Sequence, residues 1–213
     1  MGTEDGLRDA LKRAALDLQQ QTTSIREREL EEALVACLAE SLPGSISRQA
    51  PLNLKGWPGV GNCDIAVTAS HGDAPIFLEL KWGAGTLYNC AWDAVKLALA
   101  LHERKAKEAY LVAGSPLADW DSEKPGVDLF GSREWTMQDF MASYAKEFAF
   151  WRSDVKTHPE LLPERFSTTE VIQIDMEIVG VAWSLRSARV SSPGGGMLAI
   201  DEDGTVSPLP SAG

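Results

Sequence analysis

Asp64-Ile65-Ala66-Val67-Thr68-Ala69 and Ile76-Phe77-Leu78-Glu79-Leu80-Lys81-Trp82 are two apolar-rich runs joined by Ser70-His71-Gly72-Asp73-Ala74-Pro75. Runs of this composition around a turn-rich segment predict a β-hairpin. Side chains alternate between the two faces of a strand, so Phe77, Glu79 and Lys81 share one face and Ile76, Leu78 and Leu80 the other. Asp64, Ala66 and Thr68 share a face of the partner strand. A turn centred between Gly72 and Asp73 sets Asp64 opposite Lys81 and Ala66 opposite Glu79. Asp64 and Glu79 then become diagonal neighbours, roughly 7–8 Å apart at Cα. A slip of register leaves the cluster intact as long as the same faces stay together.

Carboxylates and an ammonium at the ends of apolar strands are costly to bury without a use. Asp64 and Glu79 repel each other, and a divalent cation relieves the repulsion. All-oxygen ligation suits Mg²⁺ or Mn²⁺ better than zinc. Such an ion lowers the pKa of a bound water and neutralises charge on a phosphoryl oxygen. Lys81 is placed to orient or help deprotonate that water, or to stabilise the developing anion. These parts suit phosphodiester hydrolysis. The plainer alternative is an exposed Glu79–Lys81 ion pair on a solvated sheet face, worth about 0.2–1 kcal/mol.

Upstream, Ser24 to Ser41 has helical periodicity, with Leu30, Leu34 and Leu38 four residues apart. Ser24 with Glu27 has the spacing of a capping box, and Pro43-Gly44 stops the helix. Glu27 lies in line with the leucine stripe, where a charge suits a polar site, while Glu29 and Glu32 point outward. Glu27 is therefore a third candidate carboxylate, with Glu31 at the edge of the stripe as its substitute.

An amphipathic helix is expected from Leu7 to Leu18 and an edge strand within Ser45–Asn53. Gly56 to Gly61 is a loop in which Trp57 either anchors the chain or stacks on a base. A helix from about Tyr88 to Lys107 follows Gly83-Ala84-Gly85, with an apolar face of Trp92, Val95, Leu97, Leu99 and Leu101. On it Asp93 and Lys96 form an i, i+3 pair that either supports the surface or reaches the site. Ala109 to Ala113 reads as a buried parallel strand. Residues 117–134 read as an insertion or long loop and Thr136 to Trp151 as an amphipathic helix. Val171–Ile174 and Val181–Val190 read as late strands, and the chain ends in a loose hairpin and tail. Gly194-Gly195-Gly196 lacks the lysine of a phosphate loop. His71, His102 and His158 have no partner spacing.

With 213 residues, 44% hydrophobic and 24% charged, the composition is that of an ordinary globular domain. No run approaches the ~18 apolar residues of a bilayer span. The acidic start, Met1-Gly2-Thr3-Glu4-Asp5, reads against a secretory signal. Cys37, Cys63 and Cys90 fit neither a disulfide framework nor zinc spacing, so a reducing cytoplasm is the expected compartment. The net charge is −11, of which −8 falls in residues 116–213. That acidity counts against phosphate contacts, which depend on clustered Lys and Arg.

Asp64, the fourteen residues that follow it, and then Glu79-Leu80-Lys81 resemble the D…E-x-K signature of the PD-(D/E)XK nuclease superfamily. Glu27-Arg28-Glu29-Leu30 is similar to the first-helix motif of archaeal Holliday-junction resolvases, and Cys63 stands where the name motif has Pro. The resemblance covers roughly Ser24 to Ser115. It implies a restriction-endonuclease-like α/β fold, with a core of α, β-hairpin, α, β in a mixed sheet flanked by helices (about 24–115); the order of the remaining elements adds a C-terminal αββ elaboration (about 116–190) and a tail (191–213), all one domain. It also implies metal-dependent DNA cleavage, with Asp64, Glu79 and Glu27 as ligands of Mg²⁺ or Mn²⁺ and Lys81 as the catalytic lysine.

DNA is the expected partner, with RNA left open and no membrane; a homodimer would serve duplex cleavage. The alternative is a catalytically silent relative acting as a protein-interaction or regulatory module through its acidic C-terminal half. A third reading is an unrelated α/β protein whose E-x-K is an accident. A nuclease should set basic residues such as Arg26, Arg28, Lys55, Lys96 or Arg104 around the cleft.

Overall fold

The computed structural model describes residues 2–21, 24–55, 61–69, 72–121, 125–146, 161–192, 195–200 and 205–209. The expectations for Trp57, His71, Trp151, His158 and Gly194 fall outside these residues.

Two helices, α1 (Thr3–Gln19) and α2 (Glu27–Ser41), lead into strands β1 (Ser45–Pro51), β2 (Asn62–Thr68) and β3 (Ile76–Trp82). A 3-10 turn, Leu87–Asn89, opens α3 (Cys90–His102), which is followed by β4 (Glu108–Pro116) and the short α4 (Leu117–Trp120). Then come β5 (Arg133–Thr136), α5 (Met137–Ser143), β6 (Leu161–Pro163), β7 (Arg165–Ile178), β8 (Val181–Ser191), β9 (Met197–Ile200) and β10 (Val206–Pro208). Among the described residues no helix is long and apolar enough to cross a membrane.

The main sheet is mixed, in the order β1-β2-β3-β4-β8-β7-β5. β1, β2 and β3 form an antiparallel meander, with β1 at the edge, and β3 pairs in parallel with β4. A parallel pair needs a crossover connection, and α3 supplies it. The late strands are longer than their apolar cores suggest. β8 hydrogen-bonds along the length of β4 and β7 along β8, so both belong to the main sheet. The stretch expected as a loop, 117–134, holds α4, a 3-10 turn at Val127–Phe130 and the start of β5.

Helices cover both faces of the sheet. Leu7, Leu11 and Leu18 of α1 and Leu30, Leu34 and Leu38 of α2 pack with Ile65, Val67, Leu78, Leu80 and Val112 on one side. On the other, α3 packs with Ala66, Phe77, Leu111 and Ala188. A second sheet, β10-β9-β6, lies over α3 through Leu162 and Leu198. This explains a difference from the expected one-sided helix: α3 is buried from Asp93 through Ala100 without interruption. A helix covered all round sits between layers.

Two helix boundaries also differ from expectation. α2 starts at Glu27, and its N-cap is Arg26, whose backbone N–H donates to Glu29 Oε2 at 2.8 Å. The three-residue relationship is therefore Arg26 with Glu29, two residues later than Ser24 with Glu27. α3 ends at His102 rather than Lys107. Arg104 takes a left-handed φ of 57°, Lys105 N–H donates to Ala100 O at 2.8 Å and Arg104 N–H to Leu101 O at 3.0 Å. This is a Schellman termination built on a non-glycine residue.

Close packing of β4 on β3 requires a glycine at 114. A Cβ there would overlap the Trp82 ring, which stacks on Trp183 with centroids 4.7 Å apart and planes at 4°. Gly114→Ala is expected to cost about 1–3 kcal/mol by overpacking and to open the tryptophan stack. Thermal unfolding and near-ultraviolet circular dichroism check this, and a variant matching the wild type in both would refute it.

Candidate functional site

The site forms where the hairpin splits. β2 and β3 pair at Val67↔Ile76, Ala66↔Phe77 and Ile65↔Leu78, and the ladder stops there. This register differs by two residues from the expected one, in which Ala66 faced Glu79. Strict alternation also breaks here: Cys63 packs in the α3-side core with Ala66, whereas Ile65 packs in the core under α1 and α2. Beyond Ile65, side chains of β2 replace its backbone. The Cys63 thiol donates to Leu78 O at 3.1 Å, and Asp64 Oδ2 accepts the Leu80 N–H at 2.7 Å. On the β1 side, Gln49, itself at φ 51°, donates from Nε2 to Asp64 Oδ1 at 3.2 Å. The Asp64 carboxylate thus holds β1 and β3 together where the sheet opens.

Glu27 reaches the same end from the opposite layer. As the first residue of α2 it projects over the strand end, half-buried, and Oε2 accepts the Trp82 N–H at 3.3 Å. Release from the capping role leaves this carboxylate free to face the sheet. Glu31, its expected substitute, instead pairs with Arg48 at 3.5 Å.

Glu79 and Lys81 extend from β3 toward α3, which completes the cluster with two residues. Asp93 and Lys96 are 4% and 8% exposed, so this pair is no surface support. Lys96 Nζ lies 2.8 Å from Glu79 Oε1 and 2.9 Å from Asp93 Oδ1. Asp93 Oδ2 lies 3.0 Å from Lys81 Nζ, which also donates to Leu80 O at 2.8 Å. The result is a buried chain of alternating charge: Glu79, Lys96, Asp93, Lys81. A sequence signal for it exists, since Asp93 and Lys96 are the only charges between Cys90 and Leu101.

The surroundings shift these groups in opposite directions. Burial, then Asp93 and Asp64, raise the Glu79 pKa well above the ordinary value, and Lys96 only partly offsets them. Burial also raises Glu27, opposed by Lys81 and reinforced by Asp64. Asp93 goes the other way: burial pushes its pKa up, but the two lysines outweigh it and the net shift is down. Burial disfavours both ammonium groups, yet the surrounding carboxylates outweigh it and raise Lys81 and Lys96. The carboxylates around them thus hold both lysines as ammonium ions.

Glu27, Asp64, Glu79 and Lys81 are thus neighbours at one strand end, coupled through their charges. Formally the cluster holds four carboxylates and two ammonium groups, an excess of two negative charges. All-oxygen donors with that excess fit a hard dication. Among the described residues, no three His, Cys, Asp or Glu side chains stand at metal-holding spacing.

The other basic residues are dispersed. Arg28 is exposed and paired with Glu32 at 2.9 Å, and Arg26 is exposed at the head of α2. Arg104 and Lys55, whose N–H donates to Glu103, lie at the far end of α3. The three cysteines are buried free thiols. Comparisons with known protein families, with curated proteins and with solved structures gave no match to this chain.

Proposed function

We propose that the protein is a metal-dependent nuclease that hydrolyses phosphodiester bonds in DNA, built on a restriction-endonuclease-like core. One observation carries the reading: Asp64, Glu79 and Lys81 converge with the distant Glu27 where β2 leaves β3. The order of elements supports it as well. A helix (α2), an antiparallel meander (β1 to β3), a crossover helix (α3) and a strand parallel to β3 (β4) follow the sequence expected of such a core.

Asp64 and Glu79 would hold Mg²⁺ or Mn²⁺, with Glu27 beside them, and the bound ion would supply phosphoryl polarisation and a water of lowered pKa. Lys81, kept cationic and held by Asp93, stabilises negative charge developing on the phosphate. Glu27, its pKa lifted by burial, is suited to passing a proton at the mouth of the site.

Incubation of varied DNA substrates with Mg²⁺ or Mn²⁺ tests the reading. Cleavage is expected with either ion and is expected to stop when EDTA removes it; cleavage indifferent to EDTA sinks the metal-dependent mechanism. The second reading is a silent interaction module. The compensated lysines and the acidity of residues 116–213 favour it. Folded protein that cuts nothing supports that reading.

A further inference from the structure

We propose that Lys96 is the resident counter-ion of the site, neutralising Glu79 until a divalent cation displaces it. The inference deepens the metal-dependent reading above and rests on it. Its starting point is the cost of the arrangement. An ammonium on a helix packed on both sides must be desolvated, and only well-placed partners offset that. Lys96 has two, Glu79 Oε1 at 2.8 Å and Asp93 Oδ1 at 2.9 Å.

Those two partners have different fates when a cation arrives. Glu79 belongs to the donor set and Asp93 does not. Asp93 already binds Lys81 through its other oxygen, Oδ2, at 3.0 Å. Lys96 can therefore surrender Glu79 and stay paired with Asp93, three residues away on the same helix. Without Lys96, Glu79 would face Asp64 and Asp93 with no cation in direct contact. With it, the carboxylate stays in place in the metal-free protein, at the expense of metal affinity. Binding becomes an exchange of one cation for another.

Removing the competitor should tighten metal binding. Lys96→Met, which keeps the unbranched stem and deletes the charge, is expected to bind Mn²⁺ at least about tenfold more tightly than the wild type by titration calorimetry. That direction is opposite to the one expected if Lys96 merely braces the fold, since a loosened site binds metal more weakly. Equal or weaker affinity in the folded variant would overturn the proposal.

A second measurement needs no variant that must survive the loss of a buried charge. In ¹⁵N-lysine-labelled wild-type protein, the Nζ resonance of Lys96 is expected to shift as Mg²⁺ saturates the site. A resonance that stays put while calorimetry shows Mg²⁺ binding overturns the exchange. If neither protein binds Mn²⁺ or Mg²⁺, the metal-dependent reading itself has failed and takes this inference with it.

Discussion

Glu79→Gln is expected to lower DNA cleavage at least about a hundredfold, the scale seen when one preorganised electrostatic group is deleted from an active site. The amide has the volume and shape of the carboxyl, so packing against α3 survives. Lys96 keeps Asp93 as its partner at 2.9 Å. What disappears is the anionic oxygen donor. A variant that is folded and as active as the wild type would remove Glu79 from the reaction.

The same variant has a pH signature with a defined sign. Burial and the neighbouring Asp93 and Asp64 raise the pKa of Glu79 above its ordinary 4.5. The folded state thus holds this proton more tightly than the unfolded chain. Wild-type stability accordingly falls as pH rises from about 4.5 through the higher folded value. Glu79→Gln lacks that loss, so its stability relative to wild type should improve with pH across the window. Urea unfolding at a series of pH values measures it, and parallel curves would contradict the assignment.

Asp93→Ala is expected to destabilise the protein by about 3–5 kcal/mol, the usual cost of removing one partner from a buried ion pair. Asp93 is 4% exposed and is the link between the two lysines. Without it, Lys81 keeps only the Leu80 carbonyl as a close partner among the described residues. The sign of the pH effect is opposite to that of Glu79. The lysines hold Asp93 below its ordinary 3.8 despite burial. Its contribution is therefore full above 3.8 and lost as pH falls through the lower folded value. The gap between Asp93→Ala and wild type should narrow on acidification past that point. A loss below about 1 kcal/mol at neutral pH would show that the charge chain does not brace the fold.

The comparison of sequence with structure is most instructive at α3. Asp93 and Lys96 have the spacing of a common surface pair, and a single-sided view of the helix puts them in solvent. They are buried because they face β3 and pair there with Glu79 and Lys81, while the rest of the helix is covered by β6 and β9, strands that come from Leu161–Pro163 and Met197–Ile200. Nothing near residue 93 encodes that cover. The hairpin register is a similar case. Alternation places Glu79 and Lys81 on the α3 side of β3, but the offset depends on where the ladder ends, and it ends because Asp64 and Cys63 take over the β3 backbone groups. Glu27 lies in line with Leu30, Leu34 and Leu38 and meets the Trp82 N–H, while the cap is made by Arg26 with Glu29.

What the chain encodes locally is therefore which side of each element a residue occupies. A period of two places Glu79 with Lys81, and a helical period sets Glu27 in line with the leucines, whatever the neighbours are. Which elements meet on those sides is set by contacts between residues far apart in the chain. The pairing of β8 with β4, the roof over α3 and the salt-bridged core of the site all arise there. Periodicity is a property of a short segment, whereas burial from a second direction is a property of the assembled layers.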